Sequence, residues 1–167
     1  VTKRSIRLFY SNGFYFVKYK KSAINARKLF ATSVYPVNKD EIRRLIDEYE
    51  LLLQQTKYVE DKGEIIRNQA LLYAFYLNDY VTSVELLKIV IEITRLSSDL
   101  WAKSMMDLAD IYILIGEPWE STLLYSNVEK TIKNSFLSHL SKYKNAKLSY
   151  YKGDFELAQS HLDILKL

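Results

Sequence analysis

Residues 116–119 read Gly-Glu-Pro-Trp, residues 153–155 read Gly-Asp-Phe, and residues 78–80 read Asn-Asp-Tyr. Each of these short stretches follows an apolar helical run and precedes another one. Their first residues lie 38 and 37 positions apart. A turn that recurs at this interval predicts a row of stacked helical hairpins, because each hairpin covers the apolar face that its neighbour cannot bury alone.

Composition supports long helices and excludes several other classes. Nearly half of the 167 residues are hydrophobic, and four Gly and two Pro are too few for a sheet sandwich with many tight turns. There is no Cys, which excludes disulfides and thiolate metal sites. No apolar run reaches the ~18 residues of a membrane span. The chain begins at Val1 without a leader sequence, so we expect a soluble, processed or excised piece whose localisation is unknown.

Apolar periodicity divides the chain into helices. It predicts a first helix ending near Ser33 and further helices near 41–58, 64–77, 80–95, 100–115, 118–133, 136–152 and 155–166. The apolar run 71–77 also fits a buried strand, and residues 1–18 fit either a helix or a strand. The predicted helices form hairpins near 20–58, 64–95, 100–133 and 136–166 in a single domain, 1–167, with residues 1–19 as a basic N-terminal segment.

Capping residues stand at the predicted helix ends. Asn38 with Glu41 resembles a capping box, and the serines near 97–98 and Ser135 suit the first turns of the helices that follow. Gly153 tolerates the left-handed conformation that ends a helix. The polar stretch 57–63 interrupts the apolar period and predicts a break between helices.

The turns and their flanks resemble the tetratricopeptide repeat. The matching residues are Asn78, Asp79, Tyr80 and Ser83 in one unit, Ala109, Tyr112, Gly116 and Trp119 in the next, and Ala146, Gly153, Asp154, Phe155 and Ala158 in the last. The resemblance covers 64–166 well, 20–63 faintly and 1–19 not at all, and it extends to a group of long bacterial tetratricopeptide proteins of poorly defined role. It implies an all-α, right-handed superhelical array of antiparallel helix hairpins with eight or nine helices.

The repeat motif assigns packing roles to its small and aromatic residues. Two helices touch closely only where side chains are small, so we expect Ala109, Ala146 and Ala158 at helix crossings. Pro118 is taken to add one residue to its turn, which places Thr122 where Ala is usual. The turn aromatics, Trp119 among them, are expected to fill the wedge between hairpins, and truncating a buried Trp119 would cost ~3–5 kcal/mol.

Charge is distributed unevenly. Residues 1–39 carry nine Lys or Arg and no acid, whereas the remaining residues carry more acids than bases. The basic segment either docks on the acidic remainder or attracts an anionic polymer, with its aromatic residues stacking on bases. The second interpretation is the alternative function, a nucleic-acid or anionic-polymer module; binding of that kind would collapse in high salt.

No residues with the spacing of a known catalytic site are present. The two histidines, His139 and His161, lie on different predicted helices, and the pair Asp107 and Asp110 flanks ordinary core positions. There is no nucleophile elbow and no glycine-rich phosphate loop. We therefore expect a non-enzymatic protein with no cofactor and no metal.

By analogy with the family, the inner face of the first helix of each hairpin is the candidate binding groove. Its residues are Leu72, Phe75, Tyr76, Met106, Asp110, Ile113, Leu114, Tyr143, Lys147, Tyr150 and Tyr151. Aromatic rings with a few charges suit a peptide or helix laid in a groove. The predicted function is a protein–protein interaction scaffold for an unknown partner, and a structural spacer is a further alternative. The last helix is apolar to its end, which predicts either continuation of the array or contact between two copies.

Overall fold

The computed structural model describes residues 20–96 and 98–165, and it divides the chain into two compact units, Val1–Asp79 and Tyr80–Leu167. The described residues contain eight α-helices and no strand, which confirms the all-α prediction. No described helix is long and apolar enough to cross a membrane. The prediction of a single domain stays a prediction, and so does the hairpin 64–95, whose two helices belong to different units.

The described residues of the first unit, 20–79, contain three α-helices. Helix α1 is described over 20–33, α2 is Lys39–Gln55 and α3 is Val59–Leu72, which continues as a π-helical turn, Tyr73–Leu77. The helices share one apolar core, whose fully buried members are Ile42, Tyr49, Leu52, Ile65 and Leu72. The break predicted at 57–63 is wrong in part, because α3 begins at Val59 and the buried Gly63 lies inside the helix.

The second unit is a row of five helices, each packed against the next along the chain. Helix α4 is Tyr80–Ile93, α5 is Asp99–Leu114, α6 is Pro118–Thr131, α7 is Phe136–Tyr151 and α8 is Phe155–Leu165. Helix α7 also packs against α5, so the two hairpins α5–α6 and α7–α8 stack. Each of these helices begins and ends within two residues of the predicted positions.

The predicted caps are present. The Asn38 side chain accepts hydrogen bonds from the backbone amides of Asp40 and Glu41 at 3.0 and 3.3 Å. Ser98 and Ser135 cap α5 and α7 in the same way. The helix-ending glycines Gly116 and Gly153 have φ of +89° and +81°, a conformation that costs glycine little and other residues more.

A buried serine lies where α5 and α6 cross in the second unit. Ser121 is fully buried, and its hydroxyl donates a hydrogen bond of 2.7 Å to the backbone carbonyl of Ala109 on α5. Pro118 begins α6 as Phe155 begins α8, so Ser121 corresponds to Ala158, which is also buried. The predicted extra residue at Pro118 is therefore wrong, and Ser121 takes the small-residue position instead of Thr122.

The turn aromatics do not fill a buried wedge. Trp119 is 69% exposed and Phe155 is 62% exposed, so the prediction that they are buried is wrong. The Lys152 ammonium lies over the Trp119 ring at 3.6 Å from its centroid, and the Phe155 ring packs edge-on against Tyr150 at 5.4 Å. The hairpins stack through residues further along each helix, and Tyr125 is the largest fully buried side chain of the second unit.

We therefore predict losses of stability of very different size for two aromatic truncations on α6. Trp119→Ala should lower the free energy of unfolding by less than ~1 kcal/mol, because it removes exposed surface and one cation–π contact. Tyr125→Ala should lower it by ~3–5 kcal/mol, because it empties a buried site. Urea unfolding of both variants measures this difference, and equal losses would show that the wedge is packed in solution.

Candidate functional site

The structure separates the predicted groove residues into buried and exposed groups. Leu72 is fully buried in the core of the first unit, and Met106 is 4% exposed in the core of the second. Both are corrections to the predicted groove, because a side chain enclosed by its own core cannot contact a partner. Phe75 is exposed and Tyr76 is partly buried, both in the π-helical turn of the first unit, so their part in binding stays a prediction.

Asp110 is the centre of a polar network in the second unit. Its carboxylate accepts hydrogen bonds from the Tyr125 hydroxyl on α6 and from the Lys144 ammonium on α7. The Lys144 ammonium also lies 5.8 Å from the centroid of the Tyr125 ring. One carboxylate thus connects three helices, and a charge-assisted bond of this kind is stronger than a neutral one.

Burial makes the Tyr125 hydroxyl resistant to ionisation. Burial raises its pKa, and the hydrogen bond to Asp110 and the negative charges of Asp110 and Asp107 raise it further. A buried phenol beside a carboxylate stays protonated because its phenolate would be both desolvated and repelled. Tyr125 is therefore a permanent donor to Asp110, and Asp110 acts as a structural anchor for α6 and α7.

The exposed residues of α7 lie on the two sides of one helix face. Lys147 and Tyr151 follow Lys144 at intervals of three and four residues, so they share the flank that faces α5. The Lys147 ammonium lies 5.7 Å from the centroid of the Tyr151 ring. Tyr143 and Tyr150, seven residues apart, lie one residue, or about 100°, around the helix from Lys144 and Tyr151. Lys147 lies between the two sets, four residues after Tyr143 and three before Tyr150, and the Tyr150 and Tyr151 rings meet edge-on at 6.0 Å between centroids. The predicted α7 residues therefore share one exposed face, with Tyr151 towards α5 and Tyr143 and Tyr150 away from it.

On α5, two predicted residues lie beside Asp110 and remain accessible. Ile113 and Leu114 are exposed, and they follow Asp110 by three and four residues. We define the α5–α7 surface as Asp110, Ile113, Leu114, Lys144, Lys147 and Tyr151. It combines two aliphatic side chains, the Tyr151 ring and the Lys147 ammonium around the ion pair of Asp110 and Lys144, whose charges neutralise each other.

Within the described residues, no group of three or more His, Asp or Glu side chains could hold a metal ion. His139 is exposed on α7 and His161 is half-buried on α8.

Two basic residues in the described range 20–39 form ion pairs inside the first unit. The Lys21 ammonium contacts Asp61, at 2.9 Å, and Glu64. Burial acts to lower the pKa of Lys21, but its hydrogen bonds to Glu64 and Asp61 and their charges raise it overall. Arg27 forms an ion pair with Glu48. These contacts favour docking on the acidic remainder, and the prediction of an anionic-polymer site receives no support from them; the basic residues before residue 20 lie outside the described residues.

Comparison with known proteins shows the fold but no sequence family. No protein-family model and no curated protein sequence matches the chain. A Podosopora anserina protein described as a kinesin light chain with nearly identical TPR-like repeats matches with a TM-score of 0.61 and 17% identity, over 96% of this chain and 89% of its own. The chain has a tetratricopeptide-like repeat fold. The BtubC (BKLC) structure from P. vanneervenii matches with a TM-score of 0.63 and 14% identity, over 97% of this chain and 75% of that one.

A third match is the MamA structure, with a TM-score of 0.54 and 15% identity, over 87% of this chain and 86% of that chain. These matches confirm the resemblance to the tetratricopeptide repeat as a fold. The resemblance to a bacterial group of such proteins stays a prediction.

Sequence reasoning missed Tyr125 and Lys144 as parts of the site. The available signal was an interval of 34 residues between Asp110 and Lys144, against 37 between the turns. Lys144 lies three residues, or nearly one helical turn, before Lys147, which is the equivalent of Asp110 at the turn interval. This contact therefore does not follow the interval of the turn motif.

The buried phenol predicts a loss of stability in alkali. Below pH ~10 an unfolded tyrosine keeps its proton, so the contribution of Tyr125 is fully present there. As the pH rises above that value the unfolded state binds fewer protons than the folded state, and the free energy of unfolding falls by at most ~1.4 kcal/mol per pH unit for this group. Tyr125→Phe should be less stable than the wild type at pH 8, and the gap should narrow at pH 11.

Urea unfolding at the two pH values measures that gap. Tyr151→Phe is the matched control, because Tyr151 is exposed and the substitution removes a hydroxyl outside the core. A wild-type advantage over Tyr125→Phe that is equally large at both pH values would show that Tyr125 ionises in the folded protein.

Proposed function

We propose that this protein is a non-catalytic interaction scaffold that holds a segment of a protein partner on the α5–α7 surface. The tetratricopeptide-like fold supports this proposal, because stacked hairpins present the first helices of successive hairpins side by side on one surface. The observation that carries it is the Asp110 network. Tyr125 and Lys144 fix α5 and α7 relative to each other, so the side chains beside them form a surface before any partner arrives.

The chemistry of the surface suits a peptide segment. Ile113 and Leu114 offer aliphatic area, and the Tyr151 ring offers a large contact surface at low entropic cost because it has few rotatable bonds. The Lys147 ammonium adds one cation that can contact a carboxylate or a carbonyl of a bound segment. A preformed surface of this kind binds with less loss of conformational entropy than one that must first become ordered.

Asp110 limits which partners the surface accepts. Its charge is satisfied by Lys144, so a cationic partner residue would have to compete with an existing ion pair. The net character that remains near Lys147 is positive. A partner segment with apolar side chains and an acidic residue therefore fits better than a basic one.

Co-purification from native cell extract tests the proposal. Lys147→Glu with Tyr151→Ala should reduce the recovery of bound proteins at least tenfold, because the substitutions reverse the charge and remove the ring at the centre of the surface. Leu123→Ala is the control: Leu123 is 64% exposed on α6, away from this surface. Recovery that survives the double substitution, or that is lost equally in the control, would contradict the proposal.

A further inference from the structure

The hairpins α5–α6 and α7–α8 repeat one another at an interval of 37 residues. The capping serines Ser98 and Ser135, and the turn glycines Gly116 and Gly153, all keep this interval. Each position on α7 or α8 therefore has an equivalent on α5 or α6. The comparison shows which side chains a following hairpin would normally cover.

Equivalent positions are buried in one hairpin and exposed in the next. Met106 is 4% exposed, in a cluster that includes residues of α7, whereas its equivalent Tyr143 is 50% exposed. Tyr125 is 1% exposed, whereas its equivalent Leu162 is only partly buried. In the first case α7 supplies the cover. At the α7–α8 end of this unit, the described residues leave the same positions uncovered.

The uncovered side chains lie in one row along α7. Phe136, Tyr143 and Tyr150 are all exposed and lie at intervals of seven residues, so they form one line along α7 of ~21 Å. Phe155 on α8 extends the line through its edge contact with Tyr150. We call these four residues the end ridge; an open groove follows α8 beside it, lined by Phe155, Glu156, Gln159, Ser160, Asp163 and Ile164.

The two helices that carry the end ridge have charged side chains of opposite sign. Helix α7 contains three Lys and no acid, and two of these Lys, Lys142 and Lys144, already pair with Glu129 and Asp110. Helix α8 contains Glu156 and Asp163 and neither Lys nor Arg. A two-fold axis that runs between α7 and α8, parallel to both, would place α7 of one copy against α8 of the other, so that Lys147 of each copy meets the α8 carboxylates of its partner.

We propose that the end ridge binds a second copy of this chain in a two-fold symmetric dimer, with the α7 of each copy facing the α8 of its partner. Two-fold pairs are the commonest closed assemblies, and they require a surface complementary to itself, which this combination of charges and rings provides. The rings bury apolar area at the centre, and Lys147 meets the carboxylates of α8 at the edge. The inference does not rest on the proposed function; Lys147, which borders both surfaces, is the one residue that the two proposals share.

Analytical ultracentrifugation of the 167-residue chain over a range of concentrations tests the dimer. The wild type should show a concentration-dependent dimer, and Tyr143→Glu should weaken it at least tenfold, because the substitution removes the ring at the centre of the ridge and adds a charge that the interface must desolvate. Leu123→Glu, at an exposed position on α6, is the matched control and should dimerise normally. A wild type that stays monomeric, or a dimer that tolerates Tyr143→Glu, would overturn the proposal.

A charge-exchange experiment tests the two-fold arrangement and does not depend on how Tyr143→Glu folds. Lys147→Glu alone, and Glu156→Lys with Asp163→Lys alone, should each dimerise at least tenfold more weakly than the wild type. An equimolar mixture of these two variants should recover association, because both halves of the mixed interface then pair opposite charges. Failure of the mixture to recover would overturn the two-fold arrangement and favour a head-to-tail contact or another occupant.

Discussion

The stacking of the second unit depends on close helix crossings at which a small side chain also satisfies a backbone carbonyl. Ser121 donates to the carbonyl of Ala109, and Ser141 on α7 donates to the carbonyl of Tyr125, each at 2.7 Å. Both serines are fully buried, so each hydroxyl requires a partner, and a carbonyl of the adjacent helix provides one only at short range. The hydroxyls therefore bring the helices close and fix where along their length they touch, which a hydrophobic contact alone would do less specifically.

The surface between α5 and α7 follows from these crossings. Once α6 is held close to both helices, the Tyr125 hydroxyl on α6 and the Lys144 ammonium on α7 both donate to the Asp110 carboxylate. The remaining members of the surface are two aliphatic side chains, Lys147 and one ring. A similar arrangement occurs in the first unit, where the buried Tyr49 donates to Asn25 at 2.6 Å and burial raises the pKa of Tyr49. A buried tyrosine whose hydroxyl bonds a neighbouring helix thus serves both units.

Local patterns predicted the helices of the second unit and their caps well, because these features depend on a few adjacent residues. Ser135, Gly153 and the apolar periods all act within one or two turns of chain. The register of α6 was misassigned, because an aromatic residue after Pro118 matched the motif by type while the packing position belonged to Ser121. The Asp110 network was not predictable from the turn interval, because contacts between helices depend on their axial offset as well as on their sequence spacing.

Burial in a repeat depends on what packs next to a hairpin as much as on the residue itself. Met106 and Tyr143 occupy the same position in two successive hairpins, yet one belongs to the core and the other to the surface. Tyr125 and Leu162 differ in the same way, although leucine is the more hydrophobic residue. A sequence motif describes the hairpin and not its neighbour, so it assigns the same role to both members of each pair. The difference in exposure within each pair therefore identifies the face of the α7–α8 hairpin that a further packing partner would cover.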